Sequence, residues 1–219
     1  MIAPLSNSRV IVYGASGHGK VVADILRACG LEVEGFVDDD PLKHGEVSDL
    51  KILGDSKWLT RQATRQPVAV ALGIGDNFAR CTIAERCLAA GVRLLSAVHP
   101  SATISTSAKI SPGVVIMAHA VVNADAVIGR GTIINTGAIV EHDCNVGNFV
   151  HLSPRVAIGG HVQVGDRSWL GIGSTVIPNI KVGTGSIVGA GATVVHDVED
   201  WVVAIGTPAR ILKKVTPRT

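Results

Sequence analysis

The sequence predicts two units of different fold class: an α/β, Rossmann-like domain over 1–98, and an all-β parallel β-helix with a C-terminal tail over 99–219. Two patterns carry this reading. From Arg9 to Val98, short apolar runs alternate with helix-like segments, the arrangement of a parallel sheet with helical crossovers. Beyond His99-Pro100, an aliphatic residue recurs at every sixth position from Ile104 to Val194 without an insertion, the signature of a hexapeptide coil. A third observation fits both units. The chain is 47% apolar but only 3% aromatic, so its interiors must be layered from Val, Ile, Leu and Ala.

In the first unit "RVIVYG" reads as a short buried strand, followed by a glycine turn and a helix through "KVVADILRACG" that Gly30 closes. "LEVEGFVDDD" is a second strand ending in acids. "DSKWLTRQA" is a short helix with Asp55 as N-cap. "PVAVALG" is a third strand, "NFARCTIAERCLAAG" a helix closed by Gly91, and "RLLSAV" a fourth strand.

In the second unit three hexapeptides make one coil of about eighteen residues, each contributing a short strand and a turn. Ile104, Ile110, Ile116 and their successors point inward and stack on counterparts one coil away. Small residues such as Ala102, Ala120, Thr132, Ser168 and Ala192 stand two positions earlier, where the three faces converge.

Composition also excludes partners. A net charge of +2 without a basic cluster speaks against nucleic acid. Cys29, Cys81, Cys87 and Cys144 form no C-x-x-C pair, which suits reduced thiols in cytosol. "MIAPLSNSRV" lacks the features of a signal peptide, and no apolar run approaches the roughly 18 residues of a membrane span. A soluble cytoplasmic protein is expected.

The stretch "GASGHGK" is one residue short of a Walker A loop. That loop needs Ser or Thr after the Lys to hold magnesium, and Val21 stands there. The glycines Gly14, Gly17 and Gly19 do not match G-x-G-x-x-G either. What remains is a strand, a glycine turn and a helix N-terminus, whose N–H groups and dipole attract an anion. Ser16, Gly17 and His18 are candidate ligands there, against the plainer reading of a turn without a ligand. Asp38 and Asp39 follow the second strand onto the same sheet edge, where a Rossmann-like domain contacts ribose or base hydroxyls. Asp40 fits a solvated turn better. Gly75 of "GIGDN" reaches that edge from the third strand.

Taken together, "GASGHG", "VDDDP", "GIGDN", "HPSA", "INTGAIVEHDC", "GNFVHLSP", "WLGIGSTVIPN", "IVGAGATVV" and "AIGTPARILKK" resemble one family over nearly the whole chain. It is that of the bacterial nucleotide-amino-sugar N-acetyltransferases of the PglD and perosamine N-acetyltransferase type, with the sialic acid O-acetyltransferases of the NeuD type. The resemblance implies a left-handed coil, a homotrimer, a nucleotide-linked amino sugar held by the first domain, and acetyl-CoA in the cleft between adjacent subunits. It implies His142 as general base with Asp143 as partner, and Asn135 positioning the acceptor or the base. It puts His151 near the thioester, and Ile172 and Ala190 along the pantetheine arm. Arg210, Lys213 and Lys214 either meet phosphate charge or form a solvated tail.

The chemistry agrees with the His142 assignment. A sugar amine attacking a thioester must lose a proton, which a neutral imidazole can take, and an adjacent carboxylate stabilises the imidazolium that forms. Cys144, the one nearby nucleophile, falls on an inward position, so direct attack is expected. O-acetylation of a sialic-acid-like sugar and a non-catalytic nucleotide-binding scaffold stay open, as does uracil against guanine. No metal is expected. A zinc hydratase would need His142, His151 and His161 to converge; their spacings of nine and ten residues do not achieve that within one subunit, and convergence across an interface is the route that stays open. Asp143 and His161, one coil apart, should stack.

Overall fold

A computed structural model describes residues 8–217. Segment 1–7, on which most of the leader reading rests, and residues 218–219 lie outside them. The first unit is a sheet ordered β3-β4-β2-β1-β5-β6. Its strands are β1 (Arg9–Tyr13), β2 (Gly35–Val37), β3 (Glu46–Val47), β4 (Leu50–Gly54), β5 (Val68–Leu72) and β6 (Arg93–Leu94). Its helices are α1 (Gly17–Ala28), α2 (Ser56–Ala63) and α3 (Asn77–Ala89). β1 sits at the centre, parallel to β2 through Ile11↔Gly35 and to β5 through Ile11↔Val70. Both faces of β1 are covered. Val10 and Val12 pack with Val22 and Leu26 of α1, while Ile11 and Tyr13 pack with Leu59 of α2 and Ile83 of α3. Two buried faces explain a continuous apolar run rather than an alternating one. The expected caps are present: the Asp55 carboxylate accepts from Trp58 N–H at 2.8 Å, and Gly30 and Gly91 close their helices at φ 75 and 73.

Two elements differ from expectation. "RLLSAV" is not one strand: β6 stops at Leu94, and Ala97–Val98 is the first rung of the coil, paired with Val115–Ile116. Between them Leu95 is buried and Ser96 turns the chain, its Oγ accepting from Val114 N–H at 3.2 Å. The unread segment "PLKHGEVSDLKI" contains a hairpin, β3 antiparallel to β4, turned at Ser48 and Asp49 with both φ positive (48 and 62). β4 then joins the sheet parallel to β2.

From Ala97 onward two-residue strands occur every six residues up to Thr193–Val194 and stack into three parallel sheets. Each pairs with the strand three hexapeptides on, as in Val121↔Ile139 and Ile133↔His151. From Ile116 to Val194 the predicted inward residues are buried, while Ile104 and Ile110 in the open first coil are partly so. Hydroxyls at one corner bind across coils. Thr132 Oγ1 donates to the Gly147 carbonyl and accepts from Val150 N–H, and Ser168 and Ser186 repeat the pattern. Those small polar residues are satisfied in the core, not merely tolerated. Val202–Ile205 adds a last parallel rung and Arg210–Lys214 an antiparallel edge.

The α/β unit lies on one face of the coil. On that face the outward column runs Ala97, Val115, Ile133, His151, Trp169, Ile187. The first three are buried in the cluster formed with α1. His151 is where cover ends, and Trp169 is 48% exposed. Among the described residues, no helix is long and apolar enough to cross a membrane.

Candidate active site

The glycine turn is built by backbone contact. A Cβ on Gly19 would stand 1.8 Å from the Gly14 carbonyl oxygen, and one on Gly14 2.6 Å from that of Gly73. These glycines interlock β1, α1 and the loop after β5. Gly17 and Gly75 differ: a Cβ on either would meet nothing within 4 Å. No packing in this chain requires glycine there, which leaves open space for a ligand to approach the backbone.

Around that space lies a cleft of about 270 Å³ lined by Ser16, His18, Asp38, Asp39, Lys43 and Gly75, among others. Asp38 accepts from the N–H groups of Ala15 (2.8 Å) and Asp40 (3.0 Å) and from Lys43 Nζ (2.9 Å). Burial alone would raise its pKa, but these bonds hold it below the usual carboxylate range. Lys43 Nζ also donates to Ser16 Oγ at 2.6 Å, tying the glycine turn to the loop after β2. Asp39 accepts from Ser56 N–H at 2.8 Å and pairs with Arg86 at 3.1 Å. Lys43 is a cation that sequence reasoning missed, since a lone Lys in a loop carries no signal.

Arg80 was missed too. It lies on α3 and is fully buried. Its Nε donates to the Gly131 carbonyl (2.6 Å), Nη1 to those of Ile74 and Gly75 (3.0 and 2.9 Å), and Nη2 to Asn77 Oδ1 and the Phe149 carbonyl (2.7 and 3.0 Å). Loop, helix and two coil corners are thereby held by one guanidinium. Its position offered a signal: with Ile83, Ala84 and Cys87 it completes an i, i+3, i+4, i+7 stripe, where a cation is out of place.

Above Arg80 lies a pair of neutral imidazoles, His18 and His151, their centroids 6.4 Å apart. Burial, reinforced by the Arg80 charge, lowers the His18 pKa to about 4 and that of His151 to about 3. The tautomer of His151 follows from Asn135. Asn135 Oδ1 accepts from Thr136 N–H at 2.8 Å, so its Nδ2 faces His151 Nε2 at 3.0 Å and donates to it. His151 Nε2 is therefore an acceptor and the proton sits on Nδ1. The ring also hydrogen-bonds the Gly75 backbone and stacks on Trp169 at 5.9 Å. Beyond it a second cleft, of about 340 Å³, opens between Asn77, Phe78, Arg167, Trp169 and Trp201, with Gly75 on the rim of both.

His142 and Asp143 stand at a different corner. His142 Nδ1 lies 2.8 Å from Asp143 Oδ2, and the imidazole rests over Gly160, whose Cβ would come within 2.7 Å of Nε2. With Nδ1–H donated to the carboxylate, Nε2 carries the ring's lone pair and can accept a proton. The hydrogen bond from His142 leads the effects that lower the Asp143 pKa. His161, one coil on, places Nε2 3.7 Å from the same carboxylate oxygen and its ring edge-on to His142 at 5.4 Å.

The structure thus brings His142 and Asp143 together, and Asn135 and His151 together, but sets the two pairs at successive corners of one chain. Ile172 and Ala190 occupy the corner column of Thr136: Arg155 N–H bonds the Thr136 carbonyl, Gly173 that of Pro154, and Gly191 that of Ile172. Both are exposed. Cys144 is buried, donates its thiol to the Gly159 carbonyl at 3.1 Å, and has its pKa pushed up by burial to about 11.

An α/β domain whose glycine turn faces an outward imidazole on a hexapeptide coil points to a hexapeptide-repeat acyltransferase carrying an N-terminal α/β unit, and comparison with known proteins agrees. Residues 9–87 match the PglD N-terminal domain family and residues 161–196 the bacterial transferase hexapeptide repeat. PerB from Caulobacter crescentus, solved in complex with CoA and GDP-perosamine, is 41% identical with a TM-score of 0.89, covering 97% of this chain and all of its own. The acetyltransferase domain of PglB from Neisseria gonorrhoeae FA1090, solved with acetyl coenzyme A, is 38% identical over 94% of this chain and all of that one, at a TM-score of 0.88. The GDP-perosamine N-acetyltransferase of Escherichia coli O157:H7 is 27% identical over 176 residues, 77% of this chain and 79% of that protein. The chain belongs to the family of bacterial nucleotide-amino-sugar N-acetyltransferases of the PglD and perosamine N-acetyltransferase type, and its coil is the left-handed β-helix of that family.

Proposed function

We propose that the protein moves acetyl from acetyl-CoA to the primary amine of a nucleotide-diphosphate-linked amino-dideoxy sugar, with His142 as general base. Acetyl-CoA and the amino sugar are supported by the CoA, acetyl-CoA and GDP-perosamine in the relatives' structures, which favour guanine as the base. The observation that carries the base assignment is the 2.8 Å contact from His142 Nδ1 to Asp143. It leaves Nε2 as the acceptor.

In this reading the diphosphate lies over Gly17 at the N-terminus of α1, where Ser16 and His18 line the cleft and Gly75 leaves room for the sugar. Asp38 and Asp39 face the base or ribose. The amine nitrogen attacks the thioester carbonyl, forming the C–N bond, and His142 Nε2 takes the proton it loses. The C–S bond breaks and the thiolate of CoA receives that proton from the imidazolium. A buried Cys144 thiol with a pKa near 11 is unfit as an intermediate nucleophile, which supports direct attack.

His151 borders the acetyl end, Asn135 positions the acceptor amine or the base, and Ile172 and Ala190 border the pantetheine arm. Because these stand a corner away from His142, the complete site needs a second chain, and a homotrimer supplies it. Free thiols at Cys29, Cys81, Cys87 and Cys144 suit a cytoplasmic enzyme.

Thiol release from acetyl-CoA with GDP- and UDP-linked 4-amino-4,6-dideoxy sugars tests this. Turnover with one such sugar, reduced roughly 10²–10⁴-fold by His142→Ala, is expected. Full activity in the variant would overturn the base assignment, and turnover with sialic acid alone would replace the acceptor.

A further inference from the structure

We propose that the corner formed by His142, Asp143 and His161 binds a divalent transition-metal ion of the zinc, cobalt or nickel kind, and that the bound ion switches off proton acceptance at His142. His161 motivates this, because the acetyl-transfer chemistry gives it no task. It is 58% exposed, and its Nε2 stands 3.7 Å from Asp143 Oδ2, too long for a hydrogen bond.

The coil fixes the backbone from which the three side chains project. Asp143 and His161 sit at equivalent corners in the same backbone conformation, both with φ 58, and His161 N–H donates to the His142 carbonyl at 3.0 Å. One ligand atom from each of the three lies within 4.8 Å of the others. Zinc bonds nitrogen and oxygen at about 2.0–2.2 Å, so tetrahedral ligands stand roughly 3.3 Å apart. The observed 2.8 and 3.7 Å bracket that separation. Two imidazoles and one carboxylate suit zinc, cobalt or nickel, whereas magnesium and calcium prefer oxygen alone. Counting imidazoles only, with His151 as the third, argues against a metal; His151 is indeed elsewhere, and a carboxylate takes its place.

Binding changes the chemistry of His142. Coordination through Nδ1 requires the ring's single proton to move, through solvent, from Nδ1 to Nε2. The ring stays neutral and becomes a donor where a base is needed. Substrate contacts elsewhere are untouched, so kcat falls while KM for acetyl-CoA holds. This second step rests on His142 being the base; binding itself does not.

The experiment uses untagged full-length protein. Cobalt(II) titration with visible absorption, and calorimetry with zinc chloride, measure binding. Acetyl transfer is followed with zinc and after chelation. Expected are one ion per chain, nitrogen and oxygen ligand-field bands without thiolate charge transfer, a reversible fall in kcat, and binding weakened about tenfold or more in His161→Ala. Each rate is compared with the same variant's metal-free rate. No stoichiometric binding, unchanged affinity in His161→Ala, or thiolate bands from Cys81 would overturn the site. Stoichiometric binding with kcat intact would overturn the switch, whereas full activity in His142→Ala would instead count against the base assignment.

Discussion

Arg80 carries more of this molecule than any other single side chain. A buried guanidinium survives here because carbonyl dipoles and Asn77 satisfy its donors and the Asp76 charge favours its ionised form; burial still presses its pKa down to about 9, leaving it charged at neutral pH. Arg80→Met strands several buried carbonyls without a donor and should cost at least about 1–3 kcal/mol, read as a drop in thermal midpoint. Arg80→Lys keeps the charge but cannot span both coil corners and the loop, so an intermediate loss is expected. The charge also bears on pH. His18 and His151 have folded pKa values of about 4 and 3, against an ordinary 6.5. Below pH 6.5 the unfolded chain gains protons that the folded one refuses. Stability should decline as pH falls from about 6.5 toward 3, and His151→Gln should flatten that slope in thermal melts across pH. Asp143 and His142 were legible from "EHDC" because adjacent residues need no fold to meet. The Asn135–His151 pair, sixteen residues apart, needed the register of the coil.

Among the elements, the rungs were readable and the exceptions were not, for one reason: a six-residue period is a signal repeated many times, and a single turn is stated once. The β3–β4 hairpin turns on Ser48 and Asp49 at positive φ without the glycine that would announce it. The glycine turn gives a sharper lesson, since its glycines look alike in sequence and differ in space. Gly19→Ala must push α1 off the Gly14 carbonyl, so loss of stability and of nucleotide-sugar binding is expected together. Gly17→Ala meets nothing, at the first position of a helix, so its thermal midpoint should hold or rise slightly while KM for the nucleotide sugar increases. A midpoint that fell as far for Gly17→Ala as for Gly19→Ala would mean that the open space belongs to packing after all.

At the scale of the whole molecule, the proposed trimer sets the His142 and His151 corners of one chain against different neighbours. Light scattering should report three chains per particle. A mixed preparation tests the sharing directly: His142→Ala and His151→Ala chains, each nearly inactive, should regain part of the activity when refolded together. No recovery would place the entire site within one chain. The α/β unit, for its part, is no appendage. Val115, Met117 and Ile133 of the coil share a core with Val22, Ile25 and Leu26 of α1. Anyone grafting this α/β unit onto another hexapeptide enzyme would find that the join is a surface and not a point in the sequence. The recipient coil must carry those three apolar residues, and the Gly131 and Phe149 corners that receive Arg80, or the graft will arrive with its underside bare.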